Sequence, residues 1–291
     1  MHTETEPAES GDNPYDLLSE DHDGGDRWAF GTGFTDPLAG IDTSVPGGLD
    51  PAALARYCLA LGDDALIYSH RLQQWVTRMP ELEEETALAN IALDLLGQAR
   101  MLLARAGTVL GQTEDQLAFF RTEKEFRNVR LAEYADADFA ELVARLLVFS
   151  TWRLALFEEL AHCPDPVLAA IAAKGVHELA YHRDYAARWV VRLGDGTGLS
   201  RQRMQRGLSA VWPLAGELSR PDPDALATVA PGAVDAVFDT VLAAAGLDRP
   251  DARPLAPVGG RTGRDGVHTE AMGYILAELQ SVARADPEAT W

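Results

Sequence analysis

The sequence predicts an all-α protein, most simply a four-helix bundle with added helices. Three observations point there. Beyond Pro51, apolar residues recur at steps of three and four. Prolines and glycine clusters punctuate those runs. No segment shows a persuasive strand alternation. With 291 residues, 47% of them hydrophobic and 24% charged, the chain can bury a full core.

The first 27 residues, Met1 to Arg27, carry nine acids against one arginine, with two prolines and a Gly-Gly pair. That composition predicts a disordered, solvated tail. Residues 28–50 follow, opening on Trp28-Ala-Phe-Gly-Thr-Gly-Phe34. Three aromatics in a Gly-rich stretch suit a docking segment or a linker. Residues 51–291 then form the helical domain.

The first predicted helix starts at Pro51. Leu54, Tyr57, Leu61, Ala65, Tyr68, Leu72, Trp75 and Met79 share one face, and Pro80 stops it. The second runs from about Glu81 to Ala106, acidic in its first turn as the helix dipole favours. Ala89, Ala92, Leu96, Ala99 and Leu103 make its stripe. Ile91, Leu95 and Leu102 widen it, which predicts burial over most of its circumference. A short helical piece spans Asp115 to Arg130. The third long helix runs from Asp138 to His162, with Phe139, Leu142, Leu146, Phe149, Leu156 and Leu160 inward. The fourth runs from Pro166 to Leu193, with Leu168, Ile171, Gly175, Glu178, His182, Tyr185 and Trp189 on one seam. Gly194, Gly196 and Gly198 end it. A fifth helix is expected with Ser200 as its cap, shortened or kinked by Pro213. A sixth spans Pro231 to Ala245, and a last one Thr269 to Arg284.

The formal net charge is −20, which argues against nucleic acid or an anionic membrane surface as the main partner. Cys58 and Cys163 form no metal spacing and no disulfide framework, which fits a reducing compartment. No secretory pattern opens the chain, and no uninterrupted apolar run reaches the length of a membrane helix. A cytoplasmic protein is expected. Lys124 and Lys174 are the only lysines; the arginine bias reads as genome composition, without functional weight.

Buried polar residues on bundle helices are the informative feature, because desolvating a carboxylate costs several kcal/mol unless it is paired or ligated. Bundles that hold two irons use a carboxylate on each of two helices and a Glu-x-x-His pair on each of the others. Asp64, Asp94, Glu178 and His182 are the candidates here. The position three after Glu178 is Tyr181, and the position three after Asp94 is Gly97. Glu158 and Glu159 lie near a helix end. The set has one well-placed His where two are needed. These four residues read either as buried pairs that satisfy each other, a degenerate metal site included, or as a working di-iron centre.

Other features are weaker. Gly194-Asp-Gly-Thr-Gly198 lacks the lysine and the preceding strand of a phosphate loop, so it reads as a helix stop. Arg201, Arg203 and Arg206 read as a solvated basic turn. The stretch from Gly259 to Glu270 presents Arg261 and Arg264 on a Gly-rich loop that leads into His268 and Glu270. It is expected to dock on the chain's own bundle or on a partner. Thr269 is the expected cap of the helix after it.

Several strings are similar to the structural subunits of bacterial phenylacetyl-CoA epoxidases, also called phenylacetate-CoA oxygenases. They are Leu61-Gly-Asp-Asp-Ala-Leu66, Leu88-Ala-Asn-Ile-Ala-Leu-Asp-Leu-Leu-Gly-Gln-Ala-Arg100, Glu178-Leu-Ala-Tyr-His182, Arg192-Leu-Gly-Asp-Gly-Thr197, Gly266-Val-His-Thr-Glu270 and Gly273-Tyr-Ile-Leu-Ala-Glu-Leu-Gln280. The similarity runs from about Leu54 to Trp291 and leaves out the acidic tail and Trp28–Phe34. It implies a ferritin-like fold and a multicomponent monooxygenase. A sister subunit would carry the di-iron site and epoxidise the ring of phenylacetyl-CoA. A reductase with FAD and an iron–sulfur cluster would supply electrons from NADPH, beside small accessory subunits. This chain would hold no cofactor and would pair with the catalytic subunit as its structural relative. A self-sufficient di-iron oxidase or iron-binding protein is the competing expectation.

Overall fold

The computed structural model describes residues 40–230 and 232–288. The acidic tail, the Trp28–Phe34 segment and Trp291 lie outside the described residues. Four long helices build the bundle: α1 (Pro51–Gln73), α2 (Leu82–Leu110), α5 (Phe139–Leu160) and α6 (Pro166–Gly194). The shorter α3 (Glu114–Phe119) and α4 (Arg130–Glu133) link α2 to α5. The chain continues through α7 (Gly198–Ala215), α8 (Ala233–Ala245), α9 (Ala271–Leu279) and α10 (Ser281–Ala285). Among the described residues there is no strand, only an isolated bridge between Val258 and Arg261.

Local chemistry sets most of the helix starts. Asp50 accepts from the Ala52 amide, and Pro51 opens α1 where its missing N–H costs nothing. Asp138 accepts from the amides of Ala140 and Glu141 and starts α5. Asp165 accepts from Leu168 and starts α6 ahead of Pro166. Gly111, at φ 68°, closes α2 in the left-handed conformation that glycine tolerates best.

Several boundaries differ from expectation for local reasons. α1 ends at Gln73, well before Pro80, and a turn of 3-10 helix at Val76–Arg78 carries the chain on. Trp75 and Met79 stay buried beyond its end. The cap of α7 is Thr197, not Ser200: its hydroxyl accepts from the Ser200 amide, and Gly198 opens the helix instead of ending the previous one. Pro213 lies inside α7, which stops at Ala215. Thr269 does not cap α9 with its side chain; its amide donates to Glu133 and its hydroxyl is buried without a partner.

α1 packs along α2, α2 along α6, and α6 along α5, with α7 closing the far side of α5. α2 and α6 run antiparallel: Glu84 meets Tyr185, Asp94 meets His182, and Gln98 meets Glu178. α5 is the central helix, buried along nearly its whole length. α2 is not buried on most of its circumference. Its inner side is Leu88, Ile91, Ala92, Leu95, Gln98, Ala99 and Leu102, while Leu93 and Leu96 are 53% and 40% exposed. By length and composition α2 is apolar enough to cross a membrane, although Asp94 and Arg100 interrupt its apolar run. Only 44% of its most apolar window is buried inside the bundle.

The arginines carry more of the fold than composition suggested. Arg105 on α2 pairs with Asp165 at the start of α6 and also donates to the Thr43 carbonyl at 2.6 Å. Arg121 pairs with Asp63, and Arg145 with Asp136. Arg130 holds Glu217 at 3.0 Å. All eight side chains are buried. The planar guanidinium suits such bidentate, desolvated pairs better than an ammonium does.

Candidate functional site

The centre of the bundle is occupied by a cation. Arg153 projects from α5 and is fully buried. Its Nε donates to Gln98 Oε1 at 2.9 Å, and both terminal nitrogens lie 3.3 Å from the Leu61 carbonyl of α1. The ring of Phe157 covers it at 4.4 Å, with Phe149 at 5.7 Å. Gly175 on α6 makes that stacking possible: a Cβ there would sit 2.7 Å from the Phe157 ring. Burial lowers the Arg153 pKa to about 10, against the opposing pull of Asp64, so the guanidinium stays charged at neutral pH. A buried charge without a directly bonded carboxylate persists here because a carbonyl, an amide and two aromatic faces replace water.

Gln98 turns this centre outward. Its Nε2 donates to Glu178 Oε2 at 2.9 Å, and Lys174 Nζ approaches the other Glu178 oxygen at 3.3 Å. One turn along the seam, His182 Nε2 lies 3.0 Å from Asp94 Oδ2. Farther along, Tyr185 and Trp189 donate to Glu84 at 2.5 and 2.9 Å. Burial first, and then the Glu84 carboxylate, push the Tyr185 hydroxyl far up.

Asp64 belongs to neither group. Its oxygens take both terminal nitrogens of Arg264, at 2.9 and 2.7 Å, and the Val129 amide at 2.8 Å. Burial raises the Asp64 pKa, and Arg264 opposes that shift. Arg264 also donates to the carbonyls of Ala60 and Arg127. The loop that carries it is pressed close, since a Cβ on Gly263 would lie 2.0 Å from the Asn128 carbonyl. His268, from the same stretch, sits between Glu133 at 3.2 Å and the Phe126 carbonyl at 3.1 Å. Arg264 and His268 are therefore turned into the chain's own bundle and do not face outward toward a partner. Arg261 remains at the surface, donating to the Asp265 carbonyl, and Glu270 is exposed at the start of α9.

The four carboxylate and His candidates thus fall into three separate groups: Asp64 with Arg264, Asp94 with His182, and Glu178 with Gln98 and Lys174. Among the described residues, no three His, Cys, Asp or Glu side chains converge. As placed, they do not fit a two-iron centre, because cations and an amide already take the lone pairs that metals would need. The two gaps read from spacing also lie elsewhere than expected. A Cβ on Gly97 would meet nothing within 4 Å, and Tyr181 is 51% exposed. Neither position faces the centre, and a His at either one would have pointed outward.

Residues 48–291 match the model of a protein family described as phenylacetic acid catabolic protein. The chain belongs to the phenylacetic acid catabolic protein family. The C component of the 1,2-phenylacetyl-CoA epoxidase of Escherichia coli (strain K12) is similar to it, 41% identical over 246 residues. The match covers 82% of this chain and 99% of that component. The fold of this member of the phenylacetic acid catabolic protein family is ferritin-like, as the strings on α1, α2, α6 and α9 implied.

Sequence reasoning placed Gln98 in a polar row with Asn90 and Asp94 but missed Arg153, the cation at the centre of this bundle. A signal was available. Arg153 falls four residues after Phe149 and four before Phe157, in phase with the apolar stripe of α5. An arginine in phase with a core stripe is a buried cation that needs partners.

Proposed function

We propose that this chain is a structural, non-catalytic subunit of a 1,2-phenylacetyl-CoA epoxidase that acts in aerobic phenylacetate catabolism. In this reading it pairs with the di-iron catalytic subunit and stabilises it. A reductase with FAD and an iron–sulfur cluster, with small accessory subunits, completes the cytoplasmic hetero-oligomer. Nucleic acid and membrane are not its partners.

One observation carries the reading. The space at the centre of the four long helices holds the guanidinium of Arg153, bonded to Gln98 and to the Leu61 carbonyl. A fixed positive charge there repels a metal dication and supplies no ligand to it. The relative that is a component of an epoxidase supports the remainder.

Iron analysis of the purified chain, with epoxidation assays of the reconstituted complex, tests this. The isolated chain is expected to hold far less than one iron and to turn over nothing alone. The complex should keep its activity when Asp94→Ala replaces the native chain. About two irons per chain with intrinsic oxidation would establish the self-sufficient di-iron oxidase or iron-binding protein instead.

A further inference from the structure

We propose that the outward face of α2 and α6, centred on Leu93, Leu96, Gly97 and Tyr181, is the surface on which another helical subunit of the epoxidase docks. This rests on the reading above and gives it a location. The occupant is an apolar, weakly charged helix pair.

Charge sets this face apart. The chain carries 45 acids, yet from Thr86 to Thr113 Asp94 is the only one. His182 already engages that carboxylate. On α6, Glu178 is tied to Gln98 and Lys174, and Asp184 to Arg188. An acidic molecule thus shows one strip from which unpaired acid is missing, and charge depletion marks the core of an interface.

Its shape also suits a partner helix. Leu93 and Leu96 on α2, and Tyr181 on α6, are large apolar side chains between 40% and 53% exposed. Gly97 lies among them with open space where a side chain would stand. A small residue between larger ones lets a second helix approach closely.

Its area is sufficient as well. The acid-poor part of α2, from Thr86 to Leu110, has 25 residues. At 1.5 Å per residue it is ~38 Å long, and two helices are ~20 Å wide. That strip offers about 800 Å², the share one partner contributes to a standard interface. The choice of occupant follows from charge again. A second copy would bring another net −20 against this one, whereas a different subunit need not. An anionic lipid surface meets the same repulsion.

The test uses the full chain co-expressed with the other subunits of its epoxidase, read by co-purification and size-exclusion chromatography with light scattering. Two variants probe the face. Leu93→Glu/Leu96→Glu places charge on it. Gly97→Gln fills the open spot, in a helix that gains propensity by losing glycine. Each should weaken pairing by at least tenfold without lowering the melting temperature of the free chain. Tyr274→Glu, on the exposed side of α9, should pair as the native chain does. If the native chain pairs and both face variants pair equally well, the docking face is overturned while the structural role stands. If the native chain pairs with no other subunit, both fall. A native homodimer that the face variants dissolve, or flotation of the native chain with phosphatidylglycerol vesicles, overturns the proposed occupant. Should the Leu93→Glu/Leu96→Glu variant fail to fold, the Gly97→Gln result decides alone.

Discussion

Asp64 and Asp94 occupy comparable positions in the sequence, each an acid in a long apolar bundle helix, and the fold treats them in opposite ways. Asp64 is sealed. Two residues from distant parts of the chain close over it, Arg264 from the C-terminal loop and Val129 from the α3–α4 connection, and the Ala60 carbonyl of its own helix holds Arg264 in place. Asp94 is 37% exposed and keeps one partner, His182, on the adjacent helix. The carboxylate on the side covered by the C-terminal loop became a structural lock. The one on the uncovered side became a weak seam contact under an apolar face. Burial of the acid itself sets the difference, since His182 is no less buried than Arg264.

The comparison is most easily broken at Arg264. Arg264→Ala leaves Asp64 buried with its countercharge removed, and is expected to cost about 3–5 kcal/mol in chemical denaturation. A double variant, Asp64→Asn with Arg264→Met, should recover part of that loss. A cost below about 1 kcal/mol for the single change would mean that the lock is not one. Next comes the centre. Arg153→Met keeps the volume but strands Gln98 Oε1, and should cost about 1–3 kcal/mol.

A pH series sharpens the sealed side further. Burial alone would lower the His268 pKa, but Glu133 and the Phe126 carbonyl outweigh it, and the pKa is raised in the folded chain. The unfolded value is about 6.5. The pair's contribution is therefore complete below that value and is lost as pH rises through the folded one. The melting temperature should fall across this window in the native chain and flatten in His268→Gln. A native chain that gains stability over the same window would contradict the assignment.

The smallest effects belong to the open side and the surface. Asp94→Asn should cost less than about 1 kcal/mol, since its pair with His182 is part-exposed. Arg261→Ala should stay within about 0.5 kcal/mol. A larger Asp94 effect than Arg264 effect would invert the comparison outright.

Much of this was legible in the residues. The all-α class, the four long helices and the starts of α5 and α6 follow from local spacing and from Asp138 and Pro166, and the quoted strings carry the family resemblance. The phase of α2 was not legible. Leu93, Leu95, Leu96 and Ala99 make it apolar nearly all round, so periodicity cannot select the buried side. Gly97 therefore read as a missing ligand when it lies at an open surface. Thr269 looked like a cap, but α9 begins at Ala271 with Glu270 in the cap position, while the Thr269 amide is held by Glu133, far away in the chain.

What the sequence determined by itself is the set of helices and most of their ends, because side chains three and four apart, and caps within one turn, are neighbours whatever else the chain does. What only the tertiary structure decided is which polar residues are partners. Asp64 and Arg264 stand 200 positions apart, and Gln98 and Arg153 stand 55 apart. No local pattern encodes such a pairing. It exists because packing brings two desolvated groups to one place, where each must find the other or lose several kcal/mol. The same packing left α2 uncovered on one side.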